Sequence, residues 1–123
     1  LSYPSMRIPI QYALSYPNRI SSEDIEFDFI VNNKFSFEEV DYSKFKCIKL
    51  AYQAGINGGT YPTVLNVSND LAVDLFLNKK INFLDIEKII EDSLNMHSSI
   101  SNPTIDDIKD TIRNTENYVK NYK

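Results

Sequence analysis

Between Ser43 and Val119 the chain carries four stretches of apolar residues at helical spacing, each set off by a residue that starts or stops a helix. In the first, Phe45, Ile48, Ala51 and Tyr52 share one face, and Gly55 stands where a left-handed cap would end the helix. Asn57-Gly58-Gly59 reads as a loop, after which Pro62 opens a long helix to about Asn78. Leu65, Ser68, Leu71, Ala72, Leu75 and Phe76 nearly encircle that helix, which predicts a central position. Asp85 can cap a third helix whose Ile86, Ile89, Ile90 and Leu94 face the core while Glu87, Glu91 and Asp92 face water. After the break at Ser98-Ser99 and Ser101-Asn102-Pro103, Thr104 with Asp107 three residues on marks the start of a fourth, striped by Ile105, Ile108, Ile112 and Val119. Four helices with short connections predict a small bundle over residues 43–123.

Residues 1–42 follow another pattern. Pro9 fits the first turn of a short helix carrying Ile10, Ala13 and Leu14, and Pro17 forbids its continuation beyond Tyr16. Ile25, Phe27, Phe29 and Val31 then alternate with mostly polar neighbours, and Phe35 and Phe37 repeat the period after Asn32-Asn33, so extended strands are expected. Two short strands make no stable sheet alone, which makes them pieces of a sheet completed elsewhere. The fold class expected is mainly α: a C-terminal four-helix bundle preceded by a helix and short β-strands belonging to an α/β catalytic domain.

Length and charge narrow the function. A chain of 123 residues supports one modest core. Thirteen basic against seventeen acidic side chains leave a net charge of −4, the wrong sign for a nucleic-acid or anionic-membrane binder. No apolar run is long enough to span a bilayer. The start Leu1-Ser2-Tyr3-Pro4 has neither an initiator Met nor a signal-peptide pattern and reads as a cut end. The single cysteine, Cys47, excludes an internal disulfide and is expected to be buried as a small hydrophobe.

Each reactive residue has an ordinary structural reading that outweighs the chemical one. His97 has no second His or nearby carboxylate at ligand spacing. Asp106, Asp107 and Asp110 crowd a helix start, where acids complement the dipole. Gly55, Gly58 and Gly59 precede a helix, yet no Lys-Ser/Thr pair follows to hold a phosphate. Asn66-Val67-Ser68 matches a glycosylation acceptor only formally, since it lies mid-helix. Asn66 and Asn69, in an otherwise apolar helix, are expected to be buried amides that organise a contact.

Three motifs carry a resemblance. The stretch from Pro4 to Arg19, PSMRIPIQYALSYPNR, resembles P-D-M-R-x-P-I-x-Y-A-L-T-Y-P-x-R of the 1-deoxy-D-xylulose 5-phosphate reductoisomerase family. Phe45 to Gly55 is similar to that family's F-P-C-x-K-L-A-Y-x-A, and Leu65 to Asp70 followed by Phe76-Leu77 to its L-N-A-A-N-E and F-L. Order and spacing agree over about residues 1–90. Ser5 replaces the family Asp, Val40 and Lys46 each replace a Pro, Val67 and Ser68 replace two Ala, and Asp70 replaces Glu. The Asn-, Lys- and Ile-rich composition suggests an AT-rich genome, and the resemblance in Leu50-Ala51-Tyr52-Gln53-Ala54-Gly55-Ile56 leans toward the plastid-type enzymes of parasitic protists.

The resemblance implies a homodimeric parent enzyme that uses NADPH and Mg2+ or Mn2+ to form 2-C-methyl-D-erythritol 4-phosphate for isoprenoid precursors. Residues 1–42 would be a C-terminal strip of its catalytic domain and linker, and residues 43–123 its C-terminal helical domain. By the same resemblance, Pro4 lies at the substrate-site edge and Met6 beside the nicotinamide; no catalytic or metal-binding residue falls within the chain. It would bind no cofactor alone, partner the rest of the parent, and bind neither nucleic acid nor membrane. Its location would be a plastid or apicoplast in a plastid-bearing eukaryote, otherwise the bacterial cytoplasm. The rival expectation is a free-standing acidic helical interaction module.

Overall fold

The computed structural model describes residues 3–21 and 27–122. Its elements are five helices: α1 (Arg7–Ser15), α2 (Lys46–Asn57), α3 (Tyr61–Leu77), α4 (Phe83–Met96) and α5 (Ile105–Lys120). The chain divides into two compact units, Leu1–Glu39 and Val40–Lys123. The mainly helical class is as expected.

The second unit is the four-helix bundle, and α3 is its centre, packed against α2, α4 and α5. One core cluster joins Leu50 and Ala54 of α2, Val64 of α3, and Ile90 and Leu94 of α4; a second joins Ala72, Ile89 and Val119. Small hydroxyl residues share the interior with these clusters. Ser68, Ser93, Thr111 and Thr115 are buried. Each donates to a carbonyl four residues back in its own helix: Ser68 to Val64 at 2.7 Å, Ser93 to Ile89 at 2.6 Å, Thr111 to Asp107 and Thr115 to Thr111 at 2.8 Å. Spent this way, the hydroxyl needs no partner across the seam. Ser68 therefore substitutes for the family Ala without an unpaired polar atom.

Caps account for the helix boundaries. At α5 the expected Thr104–Asp107 capping box is present, the Thr104 N–H donating to Asp107 Oδ2 at 2.8 Å and the Asp107 N–H to Thr104 Oγ1 at 3.2 Å. At α4 the cap is Asn82, and Asp85 is the third helical residue, accepting from the Asn82 N–H at 2.9 Å. The expectation that Asp85 itself caps was three residues late, because an Asn–x–x–Asp box works like its Ser/Thr counterpart. Asp41 organises the turn into α2, accepting from the N–H of Ser43 and Lys44 and from the Ser43 hydroxyl.

Other expectations are corrected. Gly55 lies inside α2, which runs on to Asn57; the cap is Gly58, with φ of 65° and its N–H bonded to Ala54 O. Two successive glycines with positive φ make the exit, so the turn is made there and not three residues earlier. The face of α2 expected to point inward, Phe45, Ile48, Ala51 and Tyr52, is exposed. The helix carries two apolar faces, and the bundle uses the one with Leu50 and Ala54. Ile105 is likewise exposed, and hydroxyls take much of the inward seam of α5. Glu87 and Asp92 are tied to neighbours: Glu87 pairs with Lys46 of α2 at 3.3 Å, and Asp92 accepts from the Tyr122 hydroxyl, whose pKa this bond pushes up to about 12.

In the first unit no strand occurs among the described residues. Ile25 lies outside them. Residues 28–32 form a turn in which Asp28 Oδ1 accepts the N–H of Ile30 and Val31 at 2.8 and 3.0 Å. Phe27 contacts the rings of Tyr3, Phe29 and Phe35. Phe29 and Phe35 condense around the Phe27 ring, with no neighbouring strand to pair with among the described residues.

Gly55 and Gly59 make opposite demands. A Cβ on Gly55 would meet nothing within 4 Å, whereas one on Gly59, where φ is +56°, would sit 2.4 Å from Ile100 O. Gly55→Ala should stabilise the chain by about 0.5–1 kcal/mol through helix propensity. Gly59→Ala should destabilise it by about 2–3 kcal/mol through clash and backbone strain. Urea denaturation of the two variants beside the parent checks both signs.

Candidate functional site

The two residues assigned to a site by resemblance, Pro4 and Met6, stand together at the entrance to α1. Both are exposed, Met6 to 72%. Ser5 between them accepts the Arg7 N–H at 3.2 Å, satisfying a free amide of the first turn. A capping Asp does the same, so the departure from the family residue keeps the local bond. The far end of α1 is held by its own exit loop. Gln11 Nε2 donates to Ile20 O at 2.8 Å, Ser15 Oγ to Asn18 O at 2.8 Å, and the Arg19 guanidinium lies 4.5 Å from the centre of the Tyr12 ring. A thioether is thus presented, with its apolar surface open, at the start of a helix whose far end is braced. Beside it, Arg7, Ile10, Gln11, Leu14, Ser15 and Ile20 line an open groove of about 440 Å³.

The other reactive residues are engaged in holding the bundle. Thr60, wholly buried, accepts the Ile100 N–H at 3.1 Å and lies 2.6 Å from His97 Nε2. Beyond the Ile100 bond the hydroxyl keeps one proton and a second lone pair, so it donates to or accepts from the ring according to the imidazole tautomer. Burial pulls the His97 pKa below its ordinary value. His97 also meets Tyr61 edge-on at 5.7 Å. It is a tie between the start of α3 and the loop after α4. Thr60 was missed in the sequence, although a Thr between a glycine pair and a helix-opening Pro62 is placed to serve such a loop.

Asp106 and Asp110 pair with Lys109 and Arg113 on the surface of α5, while Thr104 holds the Asp107 carboxyl below the usual range. No group of three side chains suited to a metal occurs among the described residues. Asn66 and Asn69 are exposed on α3, not buried as expected. The inward positions of that helix go to Val64, Ser68 and Ala72. Cys47 is exposed as well, since it sits on the first turn of α2, beyond where the helix meets the bundle at Leu50. Partial desolvation, then the Glu87 charge, push its thiol pKa up. Among the described residues no helix is long and apolar enough to cross a membrane.

The family model for the DXP reductoisomerase C-terminal domain matches residues 1–118. The chain belongs to that family. Its similarity to curated 1-deoxy-D-xylulose 5-phosphate reductoisomerases is high. It is 53% identical to that of Caldanaerobacter subterraneus over 109 residues, 88% of this chain and 28% of the relative. It is 49% identical to that of Listeria innocua over 121 residues, 98% of this chain and 32% of the relative. A solved structure, the reductoisomerase from Zymomonas mobilis in complex with NADPH, superposes with a TM-score of 0.81 at 33% identity, over 98% of this chain and 32% of that one. The DXP reductoisomerase domain thus spans about a third of the length of the relatives it matches, and its family membership does not favour a free-standing module.

The tie between Thr60 and the buried His97 generates a stability prediction and a pH prediction for this domain. Because the folded state favours neutral His97, the unfolded chain takes up the proton first as pH falls. The stabilisation is fully present above pH ~6.5, the ordinary histidine value, and is lost as pH falls through the lower folded value. Thr60→Val should cost about 1–3 kcal/mol at neutral pH by leaving the Ile100 N–H unpaired. Burial and not the Thr60 hydroxyl lowers the His97 pKa, so it is His97→Gln that should flatten the dependence of stability on pH between about 7 and 5. Denaturant midpoints across that range measure both; an undiminished slope in His97→Gln would remove His97 from the account.

Proposed function

We propose that the chain is the C-terminal part of an NADPH- and divalent-metal-dependent 1-deoxy-D-xylulose 5-phosphate reductoisomerase, which forms 2-C-methyl-D-erythritol 4-phosphate in isoprenoid precursor synthesis. The family match over residues 1–118 carries the reading, and the names of the relatives agree with it. The NADPH of the Zymomonas mobilis complex supports the cofactor. Residues 1–42 act as a strip of the catalytic domain and residues 43–123 as the C-terminal helical domain. The parent is a homodimer; its location is a plastid or apicoplast in a plastid-bearing eukaryote and the bacterial cytoplasm otherwise.

In this reading the metal, Mg2+ or Mn2+, is held by carboxylates in the remaining two thirds of the protein, and NADPH supplies hydride to an aldehyde. What this chain adds is a wall. An exposed thioether fits against a planar ring, being soft and polarisable, and it excludes water from beside it. Pro4, two residues earlier and also exposed, offers a rigid apolar edge to the substrate.

A chimera tests the proposal: the matched region of the Listeria innocua enzyme replaced by this chain. It should oxidise NADPH on addition of 1-deoxy-D-xylulose 5-phosphate with Mg2+ or Mn2+, at a rate within about tenfold of the parent, a barrier difference of ~1.4 kcal/mol. A folded chimera without turnover would sink the reading. In the active chimera, Met6→Ala should weaken NADPH binding about three- to tenfold and lower turnover, as loss of one apolar contact predicts. The melting temperature of the bundle should stay unchanged. If melting falls while NADPH affinity holds, Met6 serves only to anchor α1.

A further inference from the structure

The exposed face of α2 is built as an interface. Ile48, Ala51, Tyr52, Gly55 and Ile56 recur at intervals of three and four and so form one stripe, 39% exposed at Ile48, 67% at Tyr52 and 83% at Ile56. They line an open groove of about 480 Å³, with Ala51 and Gly55 as its floor; a side chain at Gly55 would meet nothing within 4 Å. The surrounding sequence points the same way. From Leu50 to Asn69 there is no charged residue, in a chain where 24% are charged. The outer surface of α5 is the opposite, laced with the pairs Asp106–Lys109, Asp110–Arg113 and Glu116–Lys120. Depletion of charge with an aromatic at the centre of an apolar stripe marks the core of a contact surface and not a water-facing one.

We propose that this face docks the part of the same polypeptide that lies outside the chain, against an uncharged, apolar surface of that part. The proposal rests on the reading of the chain as one domain of a longer enzyme. The length relation selects this occupant: the chain is 28–32% of relatives to which it is about half identical, so roughly two thirds of such a protein remain to be packed against it. A tethered partner needs no large area, because its effective concentration is set by the linker.

Thiol accessibility tests it, in a Cys47→Ser background that removes the native thiol. Tyr52→Cys and, as a control on the charged surface, Asn117→Cys are introduced into the 123-residue chain and into the Listeria innocua chimera, and labelled with a maleimide. The Tyr52→Cys variant should label readily in the chain alone and at least tenfold more slowly in the chimera, while Asn117→Cys labels alike in both. Equal rates for Tyr52→Cys in both would overturn the proposal. Protection in the chain alone that rises with its concentration would also overturn it, by assigning the face to a second copy. Turnover of the chimera, measured in parallel, separates the two readings. An active chimera with an unprotected thiol sinks the docking face alone, and a protected thiol without turnover sinks only the activity. Should the chimera fail to fold, the same two substitutions at the aligned positions of the intact Listeria innocua enzyme make the comparison. The first must then label at least tenfold more slowly than the second.

Discussion

The bundle depends on how closely α3 can be approached from three sides at once. A central helix ringed by large side chains would hold its neighbours apart, and interiors tolerate little unfilled space. Here the inward positions alternate between branched residues such as Val64 and Ile89 and short ones such as Ser68, Ala72, Ser93 and Thr115, all buried. The short residues set the spacing and the branched ones fill it. Placing hydroxyls in such a seam is tolerable only because each is bonded within its own helix, and no buried side-chain nitrogen or oxygen among the described residues lacks a partner.

The same economy explains which parts of the sequence could be read. Helices were legible where caps and periodicity agreed, as at Thr104–Asp107 and along Ile86 to Leu94. They were misjudged where a helix carries two apolar faces, because periodicity reports that a face is apolar and not what covers it. In α2 the more conspicuous stripe is the one the bundle leaves open. The aromatic alternation before residue 40 failed for a related reason: a strand is a property of its neighbours, and none stands beside it among the described residues. Asn66 and Asn69 were placed inside because amides are unusual in an apolar helix; the inward path of α3 passes through Ser68 instead.

At the site the division is different. Pro4 and Met6 could be named only from motif resemblance, since no spacing rule marks a thioether as a cofactor contact. The structure adds that both lie at one exposed helix entrance, on a helix whose far end is held by Gln11, Ser15 and Arg19. His97 shows the converse. Its partner, Thr60, lies 37 residues away and was visible only once the chain was folded.

The junction at Gly59 has a meaning for how this domain can vary over time. Its close neighbour there is the backbone oxygen of Ile100, and the bond from Ile100 to Thr60 likewise leaves through the backbone. A contact made through main-chain atoms is indifferent to most side-chain replacements in the segment that supplies it. It is unforgiving of any change in length that carries those atoms away. Apart from Ser99, whose hydroxyl lies 3.5 Å from that of Thr60, the stretch from Ser98 to Pro103 is therefore free to drift in composition while its residue count is held fixed. An insertion there would be felt at the far end of α4, at the start of the central helix.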